Sequence, residues 1–236
     1  MVIRSQKLDI KTFCFKIGGR EVKIKETREK VIEVSLKMLS EELTNGTAGN
    51  ISIYNREENL VAISPTGIPY HTLKPEDISV VDLDGNLIEG KNPSSELEMH
   101  LIFYRNRPEI NAVIHGHTKY STAVACLRRT LPAIDYMIAV TGDKEVRCAD
   151  YASYGTSALA HNCFNTMKNS RACLLANHGI TTVGESISVA YNVLSQVEYI
   201  SNLYLLASSV GEPVIVEDEE IFNMIERFKD YGKKVK

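Results

Sequence analysis

His115 and His117 flank a single glycine in the stretch NAVIHGHTKY (111–120), directly after the apolar run Ala112-Val113-Ile114. In an extended strand, residues i and i+2 project from the same face, with Cα atoms roughly 6.6 Å apart. Two imidazoles so placed can converge on one zinc ion, whose Zn–N bonds are about 2.0–2.1 Å long. By itself an HxH pattern is as readily two surface histidines. Catalytic zinc typically takes three protein ligands and keeps one position open, so a third imidazole is needed. His178 in LLANHGI is the candidate, because it too ends an apolar run and stands next to a glycine. Of the other histidines, His71 falls in a polar loop, His100 in the middle of a helix and His161 on a helix among small residues.

Three glycine- or serine-rich bends add a second kind of chemistry. KNPSSELEMH (91–100) reads as two serines opening a helix, and a helix N-terminus is an anion site. NGTAGNIS (45–52) and SPTGIPY (64–70) offer further hydroxyl and amide donors. Each is also what an ordinary turn looks like. Together they suit a phosphate held by neutral groups. Glu96, in the first turn of the serine-led helix, is either a favourable partner of the helix dipole or a general base beside the metal. Glu98 competes for the second role, but Ser95 with Glu98 three residues later reads as a capping box, which leaves Glu96 preferred.

The elements that must position these groups follow from periodicity. Residues 26–44 carry a broad apolar stripe at helical spacing and stop at Asn45-Gly46. Short alternating strands follow at 50–54, 60–64 and 77–85. A helix is expected over 94–108, a buried strand over 110–117 and a short helix over 121–127. Strands are expected at 137–140, 172–179 and 180–184, with a helix over 155–168. A long helix spans 186–210, and an amphipathic segment covers 217–229. Short turn-linked strands predict a mainly antiparallel central sheet in a single three-layer α-β-α domain.

Composition narrows the partners. A net charge of −3 gives no basic field for nucleic acid or an anionic membrane. No apolar run approaches the roughly 20 residues that span a bilayer. Five scattered cysteines without a CxxC pair fit a reducing cytoplasm. Neither GxGxxG nor GxxxxGK[ST] occurs, so a nucleotide cradle has no support. Residues 1–25 read as an N-terminal extension of undetermined role, and 26–236 as the domain.

The segments NGTAGNIS, ISPTGIPY, EGKNPSSE, AVIHGH, LPAIDYMIA, ANHG and FKDYG occur in this order. As an ordered set they resemble the class II aldolase/epimerase family over roughly residues 26–236. The resemblance implies Zn2+ on His115, His117 and His178, with Glu96 as acid/base and a further metal contact. It places a substrate phosphate on Thr47, Gly49, Asn50, Thr66, Gly67, Ser94 and Ser95. It makes Tyr136 a proton donor reaching in from a neighbouring subunit, and implies a homotetramer with a mobile C-terminal tail carrying Tyr231. The implied reaction is zinc-dependent cleavage of L-fuculose 1-phosphate to dihydroxyacetone phosphate and L-lactaldehyde. Alternatives within the family are L-ribulose-5-phosphate 4-epimerase, rhamnulose-1-phosphate and methylthioribulose-phosphate chemistry. The epimerase has aspartate after the serine pair where this chain has Glu96. Tyr154 stands where the family's aldolase pattern has phenylalanine, at a position that lines the aldehyde pocket. A non-catalytic interaction module of this fold would have lost the histidines or Glu96, and this chain keeps them.

Overall fold

The computed structural model describes residues 23–230. The reading of Tyr231 lies outside the described residues, as does nearly all of the N-terminal extension. In chain order the elements are α1 (Lys25–Ser40), β1 (Asn50–Asn55), β2 (Leu60–Ile63), β3 (Ser79–Val81), β4 (Leu87–Glu89), α2 (Leu97–Asn106), β5 (Ala112–Gly116) and α3 (Lys119–Cys126). They continue as β6 (Leu131–Pro132), β7 (Glu145–Val146), β8 (Cys148–Ala149), α4 (Ser157–Met167), β9 (Ala172–Leu175), β10 (Gly179–Gly184), α5 (Ile187–Val210) and α6 (Asp218–Asp230).

Eight strands form one sheet in the order β4-β3-β2-β1-β5-β10-β9-β8. All neighbours are antiparallel except β8 and β9. Period-two alternation sends successive side chains to opposite faces, and both faces are covered. On one face Val61, Val113, Cys173 and Val183 pack against Met99 and Phe103 of α2 and Leu159 and Cys163 of α4. On the other, Ile51, Ile114, Leu174 and Ile180 pack against Val31 and Met38 of α1, Val124 of α3, and Val193 and Val197 of α5. This is the expected three-layer α-β-α arrangement. The central strand β5 is buried along its whole length, which explains why it reads as an unbroken apolar run.

Three local expectations fail for identifiable reasons. Residues 137–140 form no strand. They lie in a 3-10 helix, Tyr136–Thr141, because Asp135 Oδ1 accepts the N–H of Met137 at 2.8 Å and tightens the chain there. The capping box is not formed. Helix α2 starts at Leu97 with Glu96 as its cap residue, so Ser95 lies outside the helix and Glu98 pairs with Arg105 at 2.8 Å instead. The first helix ends at Ser40 rather than at Asn45, with Glu42 in the left-handed region at φ 57°.

Candidate active site

The pairing that centres β5 in the sheet also aims its histidines. In β5, Val113 faces the core beneath α2 and α4, so His115, two residues on, faces the same way and is fully buried. His117 follows just past the strand end. His178 closes the turn between β9 and β10, and that turn presses against the end of β5. A Cβ at Gly179 would lie 2.4 Å from the carbonyl oxygen of Gly116, so only glycine permits the approach. A carboxylate from the other side of the sheet steadies the segment after His117. Glu198 of α5 accepts the backbone N–H groups of Tyr120 at 2.7 Å and Ser121 at 2.8 Å, where α3 begins.

The three rings form a compact set. Their centroids are 4.7–4.9 Å apart, and the Nε2 atoms of His115 and His117 are 2.9 Å apart. One ligating atom from each histidine lies within 4.8 Å of the others. The Nδ1 of His115 donates to the Ile180 carbonyl at 3.0 Å, which leaves its Nε2 with a bare lone pair directed at the other two rings. Burial lowers the pKa of all three. His115 lies well below the ordinary value, further depressed by the neighbouring histidines, and His117 falls to about 4. For His178 burial also dominates, with Glu96 opposing it. Neutral imidazoles are the form that binds a metal ion.

Glu96 completes the cluster. It is 7% exposed, with Oε2 3.4 Å from His115 Nε2 and Oε1 3.5 Å from His178 Nε2. Oε2 accepts from Asn50 Nδ2 at 2.9 Å, while Oε1 is buried without a hydrogen-bond partner. An orphaned carboxylate oxygen against three neutral nitrogen donors fits a divalent cation. The donor set therefore suits the expected metal.

These groups lie at one wall of a pocket of about 350 Å³. Thr47, Gly49, Asn50, Thr66, Gly67, Ser94, Ser95, Glu96, His117, Tyr154 and His178 all border it, so the three bends read from the sequence do meet there. His115 sits behind this wall. Gly49 makes the first bend possible: its φ is +79°, and a Cβ there would lie 2.6 Å from the carbonyl oxygen of His115. Tyr136 does not border the pocket and is 50% exposed. Tyr151 and Asn177 border it and were not picked out from the sequence. The signal for Asn177 was its place beside His178 in a turn, where asparagine tolerates its φ of 54°.

His100, set aside in the sequence as a mid-helix residue, lies among polar partners from β1. It is fully buried, with Nδ1 2.7 Å from Ser52 Oγ and Nε2 hydrogen-bonded to Asn50 Oδ1. Burial lowers its pKa to about 3. Below pH about 6.5 the unfolded chain takes up a proton at this position that the native protein refuses until pH about 3. Its contribution to stability is thus fully present above pH about 6.5 and is lost progressively below it. Urea unfolding should read about 2 kcal/mol less stability at pH 5 than at pH 7 from this group. A His100→Gln variant should show a pH dependence weaker by that amount. An equal pH dependence in both proteins would assign the loss to other groups.

Comparison with known proteins places these observations in a family. Residues 29–205 match the model of the class II aldolase and adducin N-terminal domain. The chain is 45% identical over 212 residues to a 5-deoxy-D-ribulose 1-phosphate aldolase of Bacillus thuringiensis serovar kurstaki, covering 89% of this chain and 99% of that protein. It is 40% identical over 206 residues to the L-fuculose phosphate aldolase of Escherichia coli K12, covering 87% and 95%. A solved L-fuculose 1-phosphate aldolase superposes with a TM-score of 0.84 at 47% identity, covering 86% of this chain and 96% of that one.

Proposed function

Since the chain belongs to the class II aldolase and adducin N-terminal domain family, whose aldolase members are lyases acting on sugar phosphates, we propose that it is a metal-dependent aldolase for a terminally deoxygenated ketose 1-phosphate. Cleavage would give dihydroxyacetone phosphate and a short methyl-ended aldehyde. L-fuculose 1-phosphate, giving L-lactaldehyde, and 5-deoxy-D-ribulose 1-phosphate, giving acetaldehyde, share this chemistry. They are also the substrates named for the similar enzymes. One observation carries the reading. The orphaned Oε1 of Glu96 faces the histidine triad at the wall of a pocket otherwise lined by neutral donors.

Thr47, Gly49, Thr66, Gly67, Ser94 and Ser95 hold the phosphate through hydroxyl and backbone N–H groups at the serine-led end of α2. The phosphate is remote from the reacting carbons, so its binding energy goes into orientation. His115, His117 and His178 would hold a zinc ion, with Glu96 beside it, and the bound ion would supply Lewis-acid stabilisation of developing negative charge, worth several kcal/mol. In condensation Glu96 removes a proton from the hydroxymethyl carbon of dihydroxyacetone phosphate; in cleavage it returns that proton. The partner proton, on the hydroxyl that becomes the aldehyde oxygen, passes to Tyr136 of a neighbouring copy. Tyr136 is exposed and does not border its own pocket, which supports a shared site in a homotetramer. Tyr231 on the C-terminal tail assists cleavage, and Tyr154 borders the aldehyde end. A cytoplasmic location belongs to the same reading; no helix among the described residues is long and apolar enough to cross a membrane.

The test is release of dihydroxyacetone phosphate from L-fuculose, 5-deoxy-D-ribulose and L-rhamnulose 1-phosphates, with L-ribulose 5-phosphate epimerisation assayed alongside. Cleavage of a deoxyketose 1-phosphate is expected, abolished by chelation and restored by zinc. Epimerisation without cleavage, or activity indifferent to chelator, would overturn the proposal.

A further inference from the structure

Helix α2 presents Glu96, His100 and Tyr104 at i, i+4 and i+8, one stripe along the helix. Strand β1 presents Asn50 and Ser52 on the face beneath it. The two rows interdigitate. Asn50 Nδ2 donates to Glu96 Oε2 at 2.9 Å, and Asn50 Oδ1 meets His100 Nε2. Ser52 Oγ lies 2.7 Å from His100 Nδ1 and 2.6 Å from the Tyr104 hydroxyl. All five side chains are buried.

The direction of each bond follows from the ionised end. A carboxylate only accepts, so Asn50 must turn its NH2 to Glu96 and its oxygen to His100. His100 Nε2 must then carry a proton. In a neutral ring Nδ1 is bare and accepts from the Ser52 hydroxyl. Ser52 has spent its one proton, so Tyr104 donates to it. Burial holds the ring neutral, as the chain requires. The opposite tautomer would flip the Asn50 amide and set its oxygen against Glu96.

We propose that His100 is a positioning residue for the reaction: acting through Asn50, it ties down Oε2 of Glu96 so that Oε1 is the oxygen presented to the metal and the migrating proton. Glu96, through Asn50, selects its tautomer, and Ser52 and Tyr104 complete the chain. This role rests on Glu96 being the acid/base, as read above.

The decisive variants are His100→Phe, which keeps a ring and removes the donor, and His100→Gln, whose amide N–H can still reach Asn50. Measured on the ketose phosphate that the wild-type protein cleaves, His100→Phe should lose roughly 10²-fold in kcat, the cost of a small misplacement. KM should move less than about threefold, because Thr47, Gly49, Thr66, Gly67, Ser94 and Ser95, to which the reading above gives the phosphate, are unchanged. His100→Gln should recover about tenfold of the loss. Metal content should stay at the wild-type level in both. Ser52→Ala, at a residue that does not border the pocket, guards against a misfolded His100→Phe and should cost several-fold in kcat with KM unchanged. Nitrogen-15 spectra of the imidazoles should show His100 protonated at Nε2 and bare at Nδ1, and still so in Ser52→Ala, where Asn50 continues to fix the tautomer. Equal kcat losses in the glutamine and phenylalanine variants, or a wild-type ring protonated at Nδ1, would overturn the proposal. A wild-type protein that cleaves no sugar phosphate but shows the Nε2–H ring would overturn the reading of Glu96, and with it the catalytic role, while leaving the hydrogen-bond chain in place.

Discussion

Replacing Glu96 by glutamine is expected to lower turnover by about 10²–10⁴-fold, the usual worth of a positioned general base, while the protein still takes up zinc. Geometry makes this a sharper variant than most acid-to-amide changes. Asn50 Nδ2 donates to Oε2 and leaves Oε1 orphaned. The introduced amide should therefore place its oxygen at the Oε2 position, to keep the Asn50 bond, and its NH2 at the Oε1 position. The group facing the triad would then be a donor with no basicity. Three imidazoles remain as ligands, so metal analysis at excess zinc should read near-wild-type occupancy. Exchange of the hydroxymethyl protons of dihydroxyacetone phosphate with deuterated water should fall in parallel with cleavage, because both need the same base. Near-normal exchange would assign the base to another group, and Glu96 would then be only a structural neighbour of the metal.

Much of this site was legible in the residues, because its parts are of kinds that periodicity and turn chemistry expose. The unbroken run before His115 marks a strand buried on both faces, and β5 is one. The glycine bends were visible as bends, and all three border the pocket. The same rule failed at 137–140, an apolar run of similar length, because one side-chain bond from Asp135 decides between strand and 3-10 helix there. The capping box failed similarly. Whether Glu98 meets Ser95 or Arg105 depends on where α2 starts, and helix ends are the least certain feature of a pattern. His100 was passed over because a mid-helix histidine has no local partner. Its partners come from β1, 48 and 50 positions away in sequence. The pattern was nonetheless present: Glu96, His100 and Tyr104 repeat every fourth residue, and Asn50 and Ser52 alternate with Ile51 and Ile53 along β1. Polar residues at core-facing positions of two elements indicate that those elements face each other, since buried polar groups must find partners.

The three histidines are not equivalent, and substitution should separate them. His115→Ala is expected to abolish cleavage and metal retention and also to destabilise the fold. Losing a direct ligand should weaken the metal by more than the 10–100-fold that loss of an outer-shell partner costs. The same change removes a fully buried ring from β5 and leaves the Ile180 carbonyl without its 3.0 Å donor. An unsatisfied buried acceptor costs about 1–3 kcal/mol, and the cavity adds to it. His117→Ala should match it in lost zinc and lost turnover. It should leave the melting temperature of the metal-free protein nearly unchanged, because this ring borders the pocket and has no backbone partner among its hydrogen bonds. Metal analysis after dialysis and thermal unfolding of both apoproteins measure the two effects separately. If His117→Ala retained wild-type zinc, the convergence of the three rings would be incidental packing and the metal would have to sit elsewhere. If instead both variants lost zinc and both melted like the wild-type apoprotein, the Nδ1 bond of His115 to Ile180 would carry no weight in the fold, and the ring's orientation would have to come from packing against β1 and β10 alone.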